Sequence, residues 1–312
     1  MGWNTGDIPD LSGRVAIVTG GNGGLGLATS RALAAHGATV VMAARNLAKA
    51  DAACGLIHDE LPDARVEVRQ LDLASLASVE AFARMVVAEH PRIDMLFCNA
   101  GVMAPPEGVT ADGFETQIGT NFYGHFALTM RLMPALAAAA DASPAGARVV
   151  CTSSVARFTA RHFDLADLEM RGHYNPWTVY SNSKRAVLEF AFELDRRVGG
   201  RGIHGYAADP GYSNTELQST AAASMDSFQH RFWLRLMFLS QPAEMGALGQ
   251  LRAGTDPHAR SGVLYAPKWL SFGSPVIRKV VGSITSPAEH AALWNLAERT
   301  TGITLESVLP PK

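Results

Sequence analysis

The sequence predicts an α/β fold, a doubly wound and mainly parallel sheet with helices on both faces. Three observations point there. Short apolar runs alternate along the chain with longer segments of helical periodicity. The apolar runs are nearly continuous, as in strands buried on both faces. No Pro/Gly/Ser-rich linker and no internal repeat divides the chain, so residues 1–312 read as one domain.

Taken in order, "RVAIVT" (14–19) is the first strand and Gly24–His36 the helix after it. "TVVMAA" (39–44) is a strand, Leu47–Leu61 a helix and "RVEVRQ" (65–70) a strand. Ser75 opens a helix over Leu76–Glu89, since its hydroxyl can cap the first free N–H groups. "IDMLFC" (93–98) and "ARVVCT" (147–152) are strands, and a long helix runs from about Val179 to Val198. "GIHGYAA" (202–208) is a strand and "GVLYA" (262–266) the last one. An irregular insertion occupies about 211–240, and a C-terminal extension, read as helical, about 267–312.

Composition excludes several functions. Lys plus Arg is 27 and Asp plus Glu 29, a balance that favours neither nucleic acid nor an anionic membrane. The apolar stretches "LMPALAAAA" and "FWLRLMFL" are too short to span a bilayer. Cys54, Cys98 and Cys151 lack metal-ligand spacing and read as free thiols in a reducing cytoplasm. His125 and His162 show no metal spacing either and read as core or surface residues.

"TGGNGGLG", Thr19 to Gly26, follows the first strand directly and opens a helix. Glycines let backbone approach a ligand closely, and the helix start offers free N–H groups and a positive dipole end to a pyrophosphate. A glycine turn between strand and helix in a βαβ unit is the context of a dinucleotide site. Further on, Tyr180 and Lys184 lie four apart on a helical pattern, hence on one face. The pair alone also suits an ordinary surface helix.

Together these features resemble the short-chain dehydrogenase/reductase family. The resemblance rests on Thr19-Gly20-x-x-x-Gly24-x-Gly26, "LDLASLASV" (71–79), "CNAG" (98–101), "TNFYGHF" (120–126), Ser153–Ser154, "YSNSK" (180–184) and "DPGYSNT" (209–215), in the family's order over about residues 11–265. "NAGVM" and "TADGFETQIGTNFYGHFALT" look like its retinol-dehydrogenase-like branch. The resemblance implies a Rossmann-type fold and hydride transfer between a nicotinamide cofactor and an alcohol–carbonyl pair. Tyr180 is then the general acid–base residue. Lys184 lowers its pKa and holds the nicotinamide ribose, Ser154 bonds the substrate oxygen, and Asn121 kinks the central helix and supports a proton relay. Ser153 is the neighbouring candidate for the serine.

By the same resemblance Thr19, Gly20, Asn22, Gly24, Leu25 and Gly26 hold the pyrophosphate side of the cofactor. Asp72 and Leu73 form the adenine pocket; Asn99, Ala100 and Gly101 the adenosine-side wall; Pro210, Gly211 and Thr215 the nicotinamide turn. The second strand ends in Ala44 and then Arg45, where an acidic residue would select NAD(H). Arg45, helped by Lys49, favours NADP(H), although Gly23 departs from many NADP-using relatives and NAD(H) stays open. Asp209 stands where the branch often has His.

Ser154 and Tyr180 are separated by 25 residues that hold Phe158, Phe163, Tyr174 and Trp177. The 211–240 insertion adds Tyr212, Leu217, Met225, Phe228, Phe232, Trp233 and Met237. These side chains suggest a bulky lipophilic or aromatic substrate, or else a lid packed on the core. The rival to an enzyme is a catalytically silent dinucleotide-binding sensor or scaffold on the same fold. The expected partner is a small carbonyl or alcohol substrate, and a homo-oligomer is left open.

Overall fold

A computed structural model describes residues 2–160, 163–211, 241–269, 271–281, 284 and 286–310. Its centre is an eight-stranded sheet of order β3-β2-β1-β4-β5-β6-β7-β8. The strands are β1 Val15–Thr19, β2 Thr39–Ala44, β3 Arg65–Gln70, β4 Met95–Cys98, β5 Ala147–Thr152, β6 Ile203–Ala208, β7 Leu264–Trp269 and β8 Phe272–Arg278. All neighbours pair in parallel except β7 and β8, which form an antiparallel hairpin.

The continuous apolar runs are explained by burial on both sides. Ala16, Val18, Val40, Met42, Met95 and Phe97 face a core with Leu33, Ile57 and Leu251. Their neighbours Ile17, Val41 and Leu96 face a second core with Phe82, Phe126, Leu188 and Trp294. The first layer holds α1 Gly24–Ala35, α2 Leu47–Glu60 and α6 Ala243–Thr255. The second holds α3 Leu76–Glu89, α4 Gly124–Ala142, α5 Pro176–Val198 and α7 Pro287–Thr301.

Three elements correct the sequence reading. The last predicted strand, 262–266, is β7 at 264–269, and the supposedly helical extension begins with another strand, β8. Gly273 and Pro275 suit neither a helix nor an inner strand, but Pro275 lies on the outermost strand, opposite Pro267, where a missing donor costs little. Helix α6 went unread because Gly246, Gly249 and Gly254 weaken its pattern. Packing explains Gly254, where a Cβ would sit 2.4 Å from the Phe97 ring. Helix α5 starts earlier than Val179, at Pro176, where Asn175 accepts hydrogen bonds from the Trp177 and Thr178 N–H groups. Apart from Gly211, the 211–240 insertion lies outside the described residues.

Candidate active site

The parallel strands β1, β4, β5 and β6 all end on one edge of the sheet, and the predicted residues gather there. At the end of β1, Gly20 (φ +64°) turns the chain and Gly24 (φ +49°) enters α1. A Cβ on Gly26 would lie 2.0 Å from the Gly20 carbonyl oxygen and 2.7 Å from Asn99 Nδ2. Only glycine lets the helix start approach the strand end this closely. Thr19 Oγ1 accepts the N–H groups of Asn99 and Ala100, both at 2.9 Å, and Asn99 Nδ2 donates to the Thr19 carbonyl. Thr19 and Asn99 therefore build the floor of the turn.

A cleft of about 480 Å³ opens above that floor. Thr19, Gly20 and Asn22 line it together with Ala44, Arg45 and Lys49, with Asp72 and Leu73, and with Ala100 and Gly101. Ala44 is buried and Arg45 exposed, so the end of β2 presents a guanidinium and no carboxylate. Asp72 Oδ1 accepts the Ala74 N–H, which shapes the turn after Leu71.

Helix α5 carries Tyr180 and Lys184 one turn apart. Both are buried, and Lys184 Nζ lies 5.9 Å from the Tyr180 ring centre. Lys184 Nζ donates to the Thr152 carbonyl at 3.0 Å, anchored to the last residue of β5. Ser154 Oγ accepts the Ala156 N–H, and its hydroxyl lies close enough to the Tyr180 phenol to lower its pKa. Trp177 meets the Tyr180 ring edge-on, 6.5 Å between centroids.

Asn121 sits in a π-helical turn, Gly119–Tyr123, between a short helical entry and α4. Its Nδ2 donates to Ser183 Oγ at 2.9 Å and to the Val102 carbonyl, while its Oδ1 accepts the Val102 N–H. A Cβ on Gly101 would meet Asn121 Oδ1 at 3.0 Å and Lys184 Nζ at 3.4 Å, so both groups converge beside Gly101.

With this geometry in view, likeness to known proteins is informative. The profile described as short chain dehydrogenase matches residues 14–226. The chain belongs to the short-chain dehydrogenase/reductase family. It is 40% identical over 301 residues to a family member of Armillaria gallica, covering 95% of this chain and 93% of that one. It is 42% identical to mouse polyprenol dehydrogenase over 67% of this chain and 63% of that protein. Human retinol dehydrogenase 13 shares 41% over 66% of this chain and 61% of its own length. Among solved structures, an uncharacterised protein of Mycobacterium paratuberculosis superposes with TM-score 0.78 at 36% identity, over 98% and 99% of the two chains. The NADP complex of Pseudomonas aeruginosa RhlG shares the fold, with TM-score 0.64 at 24% identity over 82% and 95%.

This short-chain dehydrogenase lies in the retinol-dehydrogenase-like branch and is an NAD(P)-dependent oxidoreductase acting on CH–OH donors. Among its described residues no helix is long and apolar enough to cross a membrane.

The electrostatics differ from what the helical pairing suggests. Burial is the largest influence on the Tyr180 phenol and pushes it up to about 12, against the Ser154 hydrogen bond, which lowers it. The Asp209 charge raises it further. Lys184 is itself lowered to about 8, chiefly by burial, while Asp209 and Cys151 act to raise it. Burial is the largest influence on both groups.

Of the aromatic residues before Tyr180, Phe163 and Tyr174 turn out to pack on the core, which corrects the pocket expectation for them. Arg185 stacks on Phe163 at 4.1 Å, and the Tyr174 hydroxyl donates to the Pro105 carbonyl. Phe158 is 60% exposed. Pro210 and Gly211 follow β6 at the same edge, whereas Thr215 and the aromatic and Met residues of the insertion lie outside the described residues. Sequence reading missed two supports. Buried His125 links Thr19 Oγ1 through Nε2 to the Asn121 carbonyl through Nδ1, and burial lowers its pKa to about 4. Gln250 on α6 accepts from Thr152 Oγ1 and donates to Asn99 Oδ1. His125 stands four after Asn121, the one sequence signal that could have paired them.

Proposed function

We propose that the protein is an NADP(H)-dependent carbonyl reductase or alcohol dehydrogenase, with Ser154, Tyr180, Lys184 and Asn121 as its catalytic group and a bulky lipophilic or aromatic substrate. The observation that carries this reading is the Ser154 hydroxyl beside the buried Tyr180 phenol, with Lys184 one turn away, next to a glycine-floored cleft. The residues fit a dinucleotide. Gly20 and Gly101 line the cleft with Asn22, Asp72, Leu73 and Ala100, while Gly24, Leu25, Gly26 and Asn99 belong to the tight turn and helix start beside it. When bound, the cofactor supplies or accepts the hydride.

The chain's own residues manage the proton and the charge. Tyr180 keeps its proton through neutral pH, the form that protonates a developing alkoxide at its hydroxyl. Ser154 Oγ donates to the same oxygen and stabilises its charge. Lys184, cationic below about pH 8, places positive charge under the phenol and toward Gly101. In oxidation the step runs in reverse: the phenolate form of Tyr180 takes the alcohol's proton, so this direction needs Tyr180 to have lost its own proton first. Arg45 and Lys49 form no ion pair among the described residues and can both meet a 2′-phosphate.

The apolar substrate reading draws on Trp177 beside Tyr180, exposed Phe158, and relatives named for polyprenol and retinol. The three free cysteines suit the reducing cytoplasm and a single-domain protein without disulfides. The test is steady-state turnover on ketones, aldehydes and secondary alcohols with both cofactors. NADP(H)-dependent activity whose kcat/KM climbs from acetone-sized to polycyclic ketones is expected. NADPH binding without turnover on any of them would make the chain a silent binding protein. A flat series would make the aromatics packing.

A further inference from the structure

Two buried charges beside this site have no part in the chemistry above. Arg157 lies in the 3-10 turn Val155–Thr159 that follows Ser154, and Asp209 follows β6 just ahead of Pro210–Gly211. They are 4% and 1% exposed. Arg157 Nη1 donates to Asp209 Oδ2 and, at 2.6 Å, to the Ser154 carbonyl. Asp209 Oδ1 accepts the Gly211 N–H at 2.9 Å. The guanidinium stacks on Phe158 at 4.3 Å, and its Nε is buried without a hydrogen-bond partner among the described residues.

Filling this volume with apolar side chains would stabilise the fold at least as well, because desolvating two charges is expensive. The geometry gives the pair another use. One end holds the main chain of the serine, the other the main chain of the turn, and the ion pair joins the segments that leave the paired ends of β5 and β6. We propose that Arg157 and Asp209 are a positioning pair that locks the Ser154 loop to the Pro210–Gly211 turn and so fixes where the substrate oxygen and the nicotinamide end of the cofactor meet. The Asp209 charge also favours the protonated forms of Tyr180 and Lys184, so the pair supports the site electrostatically.

The inference rests on Ser154 as the donor to the substrate oxygen, and its test separates the two. The full chain is compared with Asp209→Asn, Arg157→Lys and the double variant Asp209→Asn/Arg157→Gln. Four quantities are read: Tm, NADPH affinity by fluorescence titration, kcat and KM for the best carbonyl substrate, and amide exchange at 153–159 and 209–211. Each single variant should lower kcat tenfold or more with KM for the carbonyl within about threefold. NADPH affinity should weaken severalfold, and both segments should lose protection together. The double variant should lose no more kcat than the worse single, since one interaction is removed twice. A fall in Tm with kcat and NADPH affinity unchanged would make the pair structural only and overturn the proposal. Loss of protection in just one segment would do the same. If Asp209→Asn does not fold, Arg157→Lys, which keeps the cation, decides alone. If the wild type binds NADPH but turns over no substrate, the reading of Ser154 fails, while exchange and NADPH affinity still decide whether the pair couples the two segments.

Discussion

Ser153 Oγ donates to the main-chain carbonyl of Lys184 at 2.7 Å, which fastens the end of β5 to the middle of α5. Its hydroxyl is thereby committed to structure, while that of Ser154 meets Tyr180. Two adjacent serines, alike in sequence, have been given different work by their directions off the strand end.

The two should therefore separate on mutation. Ser154→Ala should cut kcat by about 10²-fold, the loss typical of a donor to a developing oxyanion, with Tm near wild type. Ser153→Ala should cost about 1 kcal/mol of stability through its lost hydrogen bond, with kcat in the folded protein little changed. Thermal melts and kcat on both variants check this, and the reverse pattern would move the catalytic role to Ser153.

Tyr180→Phe keeps the buried ring and its contact with Trp177 but removes the proton donor. Turnover should fall by a factor on the order of 10² to 10⁴, with NADPH binding retained. Near-normal kcat in this variant would remove Tyr180 from the mechanism.

At the end of β2, Arg45→Asp should reverse cofactor preference by removing a phosphate clamp and adding repulsion. The ratio of kcat/KM for NADPH to that for NADH is the measurement. A wild-type preference for NADH would instead mean that Gly23 was the better guide than Arg45.

The pH profile carries a sign. In the proposed chemistry, reduction needs Tyr180 with its proton and Lys184 charged. Tyr180 holds its proton up to about 12, so it sets no limit near neutrality. Lys184, lowered to about 8, loses its charge as pH rises through that value. The rate of ketone reduction should be level below pH 8 and fall above it. In Lys184→Arg, whose guanidinium does not titrate there, that fall should move to higher pH even if the plateau is lower. A limb that stays in place would assign it to another group.

What the sequence determined by itself was local and periodic. Runs such as "TVVMAA" could only be strands buried on both faces, and the spacing of Thr19, Gly20, Gly24 and Gly26 required a tight turn into a helix. The four-residue step from Tyr180 to Lys184 fixed their common face before any fold was known. Tertiary structure decided whatever depends on partners distant in the chain. Strand β8 exists because β7 gives its proline-bearing segment an edge to pair with. Helix α6 carries Gly254 because Phe97 needs the space beside it. Phe163 became packing when Arg185 stacked on it, and Asp209 acquired meaning only beside Arg157, 52 positions away. The pKa order in the site was likewise beyond the sequence. Spacing shows that a lysine lies near a tyrosine, but only the folded chain sets how much water both have lost, and here burial is the largest influence on each.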